Sequence, residues 1–389
     1  MEMEYYVLGK KDNQMVSSYF DRYYLLLISY LEALSKKGIL SQEIGELLST
    51  RESELDSECS LKGQAIEKRD FILSPDQSSI INVLYKELIE GKSQYLGDYK
   101  RYEQQLKKEI DLFLNGKHNE LTMSQGAHIY GTQIKLTILD NNPYNQMEAH
   151  PDHQATGGVM GYGQKSEEEW LRIYEKTFGL LKEIDIGTYT ELNQIIKKIV
   201  PLGTSFGTHN SASYKECVGH LYMGYTIDSD MPEINNLEAI IHESSHNKLN
   251  LILQFDPIVL NDKQEKYYSA IRPDARHIHG IFLGYHAFAP TMYIIMKAYL
   301  NGYLGNHKQW FEKIVLYYIK TKFLQKMIKK YAILTELGKE ISEEIDYVIK
   351  EMDVLIKKLN PSSEVLKRAK ERQEQHFQEV NSKYPYLEY

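Results

Sequence analysis

The chain has 389 residues and almost no cysteine, only Cys59 and Cys217. Two thiols build neither a disulfide framework nor a Cys-rich metal site, and so few suit a reducing, cytoplasmic setting. There is no surplus of positive charge. Lys and Arg number 46 against 54 Asp and Glu, giving a net charge of −8 and a pI near 5.9. That balance speaks against a nucleic-acid partner. Long apolar runs are missing too. The opening MEMEYYVLGKKDNQ has no signal-peptide architecture, and the longest early run, Tyr23–Leu31, is far too short to span a bilayer. No membrane partner is therefore expected. The sequence also lacks a solenoid-length internal repeat and any low-complexity tract. Tryptophan is scarce, with 2 residues, whereas tyrosine reaches 31 against 11 phenylalanines. Tyr supplies amphipathic surface for grooves and interfaces; AT-rich codon usage would produce the same excess. What remains is an ordinary globular composition, 42% hydrophobic and 26% charged, with enough chain for a substantial core.

Periodicity predicts a mainly α protein with a small β element, an α+β arrangement. Helices are expected over Asp21–Lys36, Ser41–Leu48, Ser78–Glu90 and Tyr95–Asn115, with a charged surface connection at Ser49–Lys68. The alternation in Ile129–Leu139 predicts a strand. Residues 141–165 then form a long Gly-, Asn- and Pro-rich loop, and a loop of that length is more often functional than passive. Ser166–Glu169 is a capping box for a helix through Asp185. A further helix is expected over Thr190–Val200, a loop over residues 202–216 and a strand over Cys217–Ile227. Asn236 reads as the cap of a helix running to Gln254. Helices follow over His279–Leu300 and, broken at Asn360-Pro361, over His307–Gln378. Three regions result: 1–120 helical, 121–305 a catalytic core, and 306–389 helical.

The core region holds the chemistry. His242-Glu243-Ser244-Ser245-His246 is an HExxH pattern, which places two imidazoles one helical turn apart on one face. In zinc peptidases the glutamate is the general base for the metal water. The flanking Leu237, Ile240, Ile241, Leu249, Ile252 and Leu253 make the helix a buried one, and buried histidines need partners. A catalytic ion needs a third ligand. Leu249 and Ile252 stand where the metzincin pattern has Gly and His, and no thermolysin-like glutamate run follows. The next helix offers His279 and His286 on one face, and the long loop offers His150 and His153. Between the two histidine-bearing segments lies YYSAIRPDARHIHG, residues 267–280. Arg272 and Arg276 are suited to clamping the carboxylates of a dicarboxylate, for which a peptidase has no need. The plainer alternative is an Arg paired with Asp274 in a surface loop.

The segments IIHESSHNKLN and YYSAIRPDARHIHGIFLGYHAF resemble the HExxH-type 2-oxoglutarate-dependent peptide β-hydroxylases that modify ribosomally made peptides. The matching residues are His242, Glu243, His246, Lys248, Leu249, Tyr267, Tyr268, Arg272, Pro273, Asp274, Arg276, Gly280, Gly284, His286, Ala287 and Phe288. The likeness spans about residues 203–300. Ala270-Ile271 replaces a common Pro-Trp, and His277 a common Pro. The resemblance implies an enzyme, a dioxygenase using Fe(II), 2-oxoglutarate as co-substrate and O2. It implies His242 and His246 as metal ligands with His286 as the third and His279 its rival. Arg272 and Arg276 become the co-substrate clamp, and Glu243 a catalytic-site residue that orients a ligand or meets substrate. The expected partner is a precursor peptide, with leader recognition assigned to a homodimer or a partner protein. The rival expectations are a zinc metallopeptidase and a non-enzymatic, helical peptide-binding module.

Overall fold

A computed structural model of the chain describes residues 13–49, 66–91, 99–140, 160–203, 211–224 and 230–387. The expected surface connection (residues 50–65), most of the long loop with His150 and His153 (141–159), and part of the polar loop before the second strand (204–210) lie outside the described residues. The protein is mainly helical with one small mixed sheet, the class the sequence pattern predicts. None of its described helices is long and apolar enough to cross a membrane. Contacts divide the chain into two compact units. One, the sheet unit, is Val16–Glu175 with Asn193–Asp228; the other, the bundle unit, is Met1–Met15, Lys176–Leu192 and Ser229–Tyr389.

The sheet unit begins with helices α1 (Asn13–Lys36), α2 (Ser41–Ser49), α3 (Lys68–Leu73), α4 (Pro75–Leu88) and α5 (Tyr99–Leu114). Helix α1 buries Tyr23, Leu27, Leu31 and Leu34, one stripe at three- and four-residue spacing. Helix α4 starts three residues before the expected Ser78. Pro75 occupies its first turn and the Ser74 hydroxyl accepts from the Gln77 amide at 3.4 Å. The sheet has the order β1-β2-β3-β5-β4, with β1 (Ala127–His128), β2 (Lys135–Leu136), β3 (Lys198–Leu202), β4 (Ser211–Ala212) and β5 (His220–Gly224). The inner pairs β2/β3 and β3/β5 are parallel and the outer ones antiparallel.

Two expectations change here. The strand expected over Ile129–Leu139 shortens to β2, and a turn separates it from β1 just upstream, in which the Thr132 hydroxyl donates to the Ile129 carbonyl at 2.8 Å and Gly131 takes φ +77°. The helix over Thr190–Val200 ends earlier, as α7 (Ile186–Ile195), after α6 (Glu167–Ile184), and gives way to β3. Every residue of β3 is buried. A strand covered on both faces reads as an unbroken apolar run, which periodicity alone does not separate from a buried helix. The capping box at α6 forms as expected: Glu169 N donates to Ser166 Oγ at 3.2 Å and Ser166 N to Glu169 Oε2 at 2.9 Å.

The face of the sheet that carries Lys198 and His220 holds a buried polar network. Lys198 Nζ, from β3, lies 2.9 Å from Asp76 of α4 and 3.2 Å from Asp140. Tyr222 donates to Asp140 at 2.6 Å, and the His220 ring stacks on Tyr222 with centroids 4.4 Å apart. Lys198 and His220 are register partners, so the parallel pairing brings both side chains to one face.

The bundle unit contains α8 (Pro232–Ile252), α9 (Ile278–Leu300), α10 (Lys308–Tyr331), α11 (Glu336–Leu359) and α12 (Ser363–Lys383). Helix α9 packs against α8, α10 and α11 and is correspondingly apolar on most sides. Asn236 does not cap α8. The helix begins at Pro232, and Asn236 donates to the Pro232 carbonyl from inside the first turns at 2.9 Å. The C-terminal stretch breaks twice rather than once. Thr335 caps α11 through the Gly338 amide at 3.0 Å, and Asn360 ends it in the left-handed conformation at φ 47°.

Candidate metal-binding site

Helix α8 turns Glu238, His242 and His246 to one face, each one turn from the next, while Leu237, Ile240, Ile241, Leu249 and Ile252 are buried. The two imidazoles meet nearly edge to face, and their Nε2 atoms are 3.1 Å apart. Nitrogens at that separation either share a proton or aim their lone pairs at one ion. Metal–nitrogen bonds of about 2.1 Å at a right angle put two ligands about 3 Å apart, so the pair fits a common ion without rearrangement. Burial lowers the His246 pKa; the nearby Glu243 carboxylate opposes this and the Arg272 charge reinforces it. The neutral imidazole that results is the ligating form.

Helix α9 brings Phe288 against His242, with ring centroids 4.7 Å apart, and Phe288 stacks in turn on Tyr317 of α10 at 5.3 Å. His286 is fully buried. It lies two residues before Phe288 and therefore about 200° around the helix axis from it. His279 is nine residues before Phe288, also about half a revolution away. Among the described residues, no three His, Cys, Asp or Glu side chains are grouped to hold an ion. His242 and His246 are thus brought together, and His286 does not join them. His220 belongs to the sheet unit, in the network with Asp140.

The arginine loop separates its two candidates. Tyr267 and Arg276 exchange backbone hydrogen bonds at 2.7 and 2.9 Å, which pinches residues 268–275 into a closed loop. Arg276 Nε pairs with Asp274 at 2.8 Å with both side chains over a third exposed, the plainer of the two arrangements expected for this segment. The Arg272 guanidinium has no carboxylate partner among the described residues. Its charge acts on His246 and on the Tyr317 phenol.

The backbone beneath Arg272 is held from a region in which no motif is legible. Arg272 N donates to Ser269 Oγ at 3.3 Å, and His376 of α12 hydrogen-bonds the Arg272 backbone. His376 Nδ1 also meets the Tyr268 hydroxyl at 2.7 Å, and Gln373 donates to that hydroxyl at the same distance. Tyr268 is fully buried, edge-on to Phe323 and Phe377. Gln373, His376 and Phe377 share a face of α12 at helical spacing; that periodicity is the only trace the sequence gives of their role. Lys248, one of the residues shared with the hydroxylase pattern, is buried and ion-paired with Glu191 of α7. It anchors α8 rather than lining the site.

Tyr317 sits between two ammonium groups: Lys313 Nζ lies 5.8 Å and Lys320 Nζ 5.3 Å from the ring centroid. Lys313 is paired with Glu238 of α8. Compared with known proteins, the chain matches no protein-family model and none of the curated proteins.

Proposed function

We propose that the protein is an Fe(II)- and 2-oxoglutarate-dependent oxygenase that hydroxylates a side-chain β-carbon of a ribosomally made peptide. One observation carries this reading: two imidazole nitrogens 3.1 Å apart stand near an arginine that no described carboxylate neutralises. A hydrolytic zinc centre needs the first feature only. A keto-dicarboxylate uses both, because one end chelates the metal while the other is an anion to be held at a distance. The pair fits two positions of an iron site, and the described residues do not complete a third.

When bound, the iron supplies O2 activation at positions that protein ligands leave open. The chain's own residues do the rest. His242 and His246 converge because they share a helix face, and burial keeps His246 neutral and able to ligate. Glu243 is buried next to His246 and serves to orient it, a common role around metal-bound imidazoles. Arg272 receives the far carboxylate of the co-substrate. Phe288 and Tyr317 wall the His242 side with aromatic surface and keep water from it.

The expected outcome of anaerobic reconstitution is a visible charge-transfer band with Fe(II) and 2-oxoglutarate, and succinate formation once a peptide and O2 are added. His246→Ala should abolish iron binding and the band. Iron loss in His286→Ala would assign the third ligand to it, and full retention would exclude it. Three results would sink the proposal. They are zinc-dependent peptide cleavage lost in Glu243→Ala, no band with wild-type protein, and a protein without metal whose stability His242→Ala leaves unchanged.

A further inference from the structure

The Tyr268 hydroxyl is the polar tip of a side chain otherwise enclosed by apolar surface. Its ring lies edge-on to Phe323 of α10 and Phe377 of α12, and the residue is fully buried. Two side chains of α12 meet the hydroxyl, Gln373 through Nε2 and His376 through Nδ1, each at 2.7 Å. They stand three residues apart, so one turn of helix delivers both. Tyr268 opens the loop that the Tyr267–Arg276 backbone pair closes, and it is the largest side chain that this loop buries.

The direction of each hydrogen bond follows from its chemistry. A carboxamide nitrogen only donates, so Gln373 occupies a lone pair of the phenol oxygen. The phenol has one hydrogen, and it is aimed at Nδ1. Nδ1 is therefore the accepting nitrogen, and the His376 ring is neutral with its proton on Nε2. Protonation turns Nδ1 into a second donor toward the same oxygen, and the phenol hydrogen loses its acceptor. Rotating the Gln373 amide would supply one, because Oε1 has no hydrogen-bond partner among the described residues. The amide hydrogens would then take the place of Oε1, and Gln373 is 1% exposed. Either arrangement leaves a buried donor unsatisfied. His376 itself is half-buried, so protons reach it from water.

We propose that His376 is a positioning residue for the arginine loop: when neutral it holds residues 268–275 against α12 through the Tyr268 hydroxyl, and when protonated it releases them. The device does not depend on what Arg272 binds, and so stands apart from the oxygenase reading. The groups that set the charge of His376 come from each element packed on it. Burial lowers its pKa, the Lys320 charge of α10 lowers it further, and Glu379 of α12 and the Arg272 backbone oppose them. The held state is therefore complete above the ordinary value of 6.5 and is lost as pH falls through the lowered one.

Two measurements on the full chain test this. Nitrogen–proton correlation spectra of histidine-labelled protein should show His376 as the Nε2–H tautomer at neutral pH and above. Hydrogen exchange of residues 268–276, corrected for intrinsic rate and referred to α9, should quicken about tenfold or more as His376 titrates, the scale of one lost buried hydrogen bond. His376→Asn keeps an acceptor near the Nδ1 position that does not titrate, and should hold the loop at acid pH. His376→Leu should free it at every pH. Gln373→Glu, an acceptor only when ionised, should reverse the relay and move the His376 proton to Nδ1. An Nδ1–H tautomer in wild-type protein, or loop exchange indifferent to the titration of His376, would overturn the proposal. So would a His376 that does not titrate before the chain unfolds, or an acid loosening that persists in His376→Asn. The wild-type measurements decide the case even where a substitution disturbs folding.

Discussion

A lysine that is almost entirely buried keeps its charge only because two carboxylates stand against it. Lys198 does so between Asp76 and Asp140, and the surrounding field determines how its neighbour His220 titrates. Burial depresses the His220 pKa well below its ordinary value of 6.5, the Lys198 charge depresses it further, and Asp76 opposes both. Asp140 and Tyr222 face the same ring. The unfolded chain therefore takes up this proton first as pH falls. The stability associated with a neutral His220 is present above about pH 6.5 and is lost as pH drops toward the depressed folded value. Thermal melts from pH 8 to pH 5 should show wild-type stability falling more steeply below about 6.5 than that of His220→Gln; parallel curves would contradict the assignment. The sequence shows none of this network. Asp76, Asp140, Lys198 and His220 are scattered over nearly 150 positions, and only sheet register and the seating of α4 unite them. The histidine pair is the opposite case. His242 and His246 are legible because their geometry is local to one helix, whereas a third ligand is a tertiary fact that spacing on α9 does not decide.

Helices were readable wherever an apolar stripe met a polar face, as in α1, α5 and α11, and least readable where burial was complete. Strand β3 and helix α9 are both apolar on nearly every side. Length separated them correctly at α9 but not at β3. Caps were legible where the chemistry is local, at Ser166, and misread at Asn236 because Pro232 already starts the turn. The start of α11 shows what local pattern cannot convey. A Cβ on Gly338 would lie 2.5 Å from the Ile258 carbonyl oxygen, which belongs to the loop following α8. That same carbonyl accepts from Thr335 N at 3.0 Å, and β-bridge contacts join Val259 to Leu334. Glycine there is a docking requirement rather than a flexible point. Gly338→Ala, ordinarily favourable in a helix, should instead destabilise by roughly 1–3 kcal/mol through overpacking. Urea unfolding measures this, and a neutral or stabilising outcome would show that the loop yields freely.

At the scale of the molecule, the compact units do not follow the order of the chain. The bundle unit takes in Lys176–Leu192, which the sequence separates from Ser229–Tyr389 by a segment belonging to the sheet unit. Its tie to the early segment is electrostatic as well as apolar. Lys248 pairs with Glu191 and Lys297 with Asp185, and the Tyr303 hydroxyl donates to Glu183 at 3.0 Å. A fragment of residues 229–389 would retain the histidines, the arginine loop and α12, yet leave Lys248 buried without its counter-charge. Breaking a buried pair costs about 3–5 kcal/mol, a large share of a domain's stability. The fragment should therefore lose the cooperative thermal transition of the full chain. A fragment that melts cooperatively near the full-length temperature would refute this.

The same interleaving sets a schedule for synthesis. The last residue of the sheet unit leaves the ribosome with Asp228, but the helix that supports Arg272 is complete only at Lys383. At ordinary elongation rates that interval is on the order of 10–30 s. In its first part, until Lys248 and then Lys297 are added, Asp185 and Glu191 have been made and their lysines have not. The nascent chain must carry two acidic groups, destined for burial, in water until α8 and α9 emerge to meet them. Charge keeps that waiting segment soluble where an apolar latch would invite misassociation.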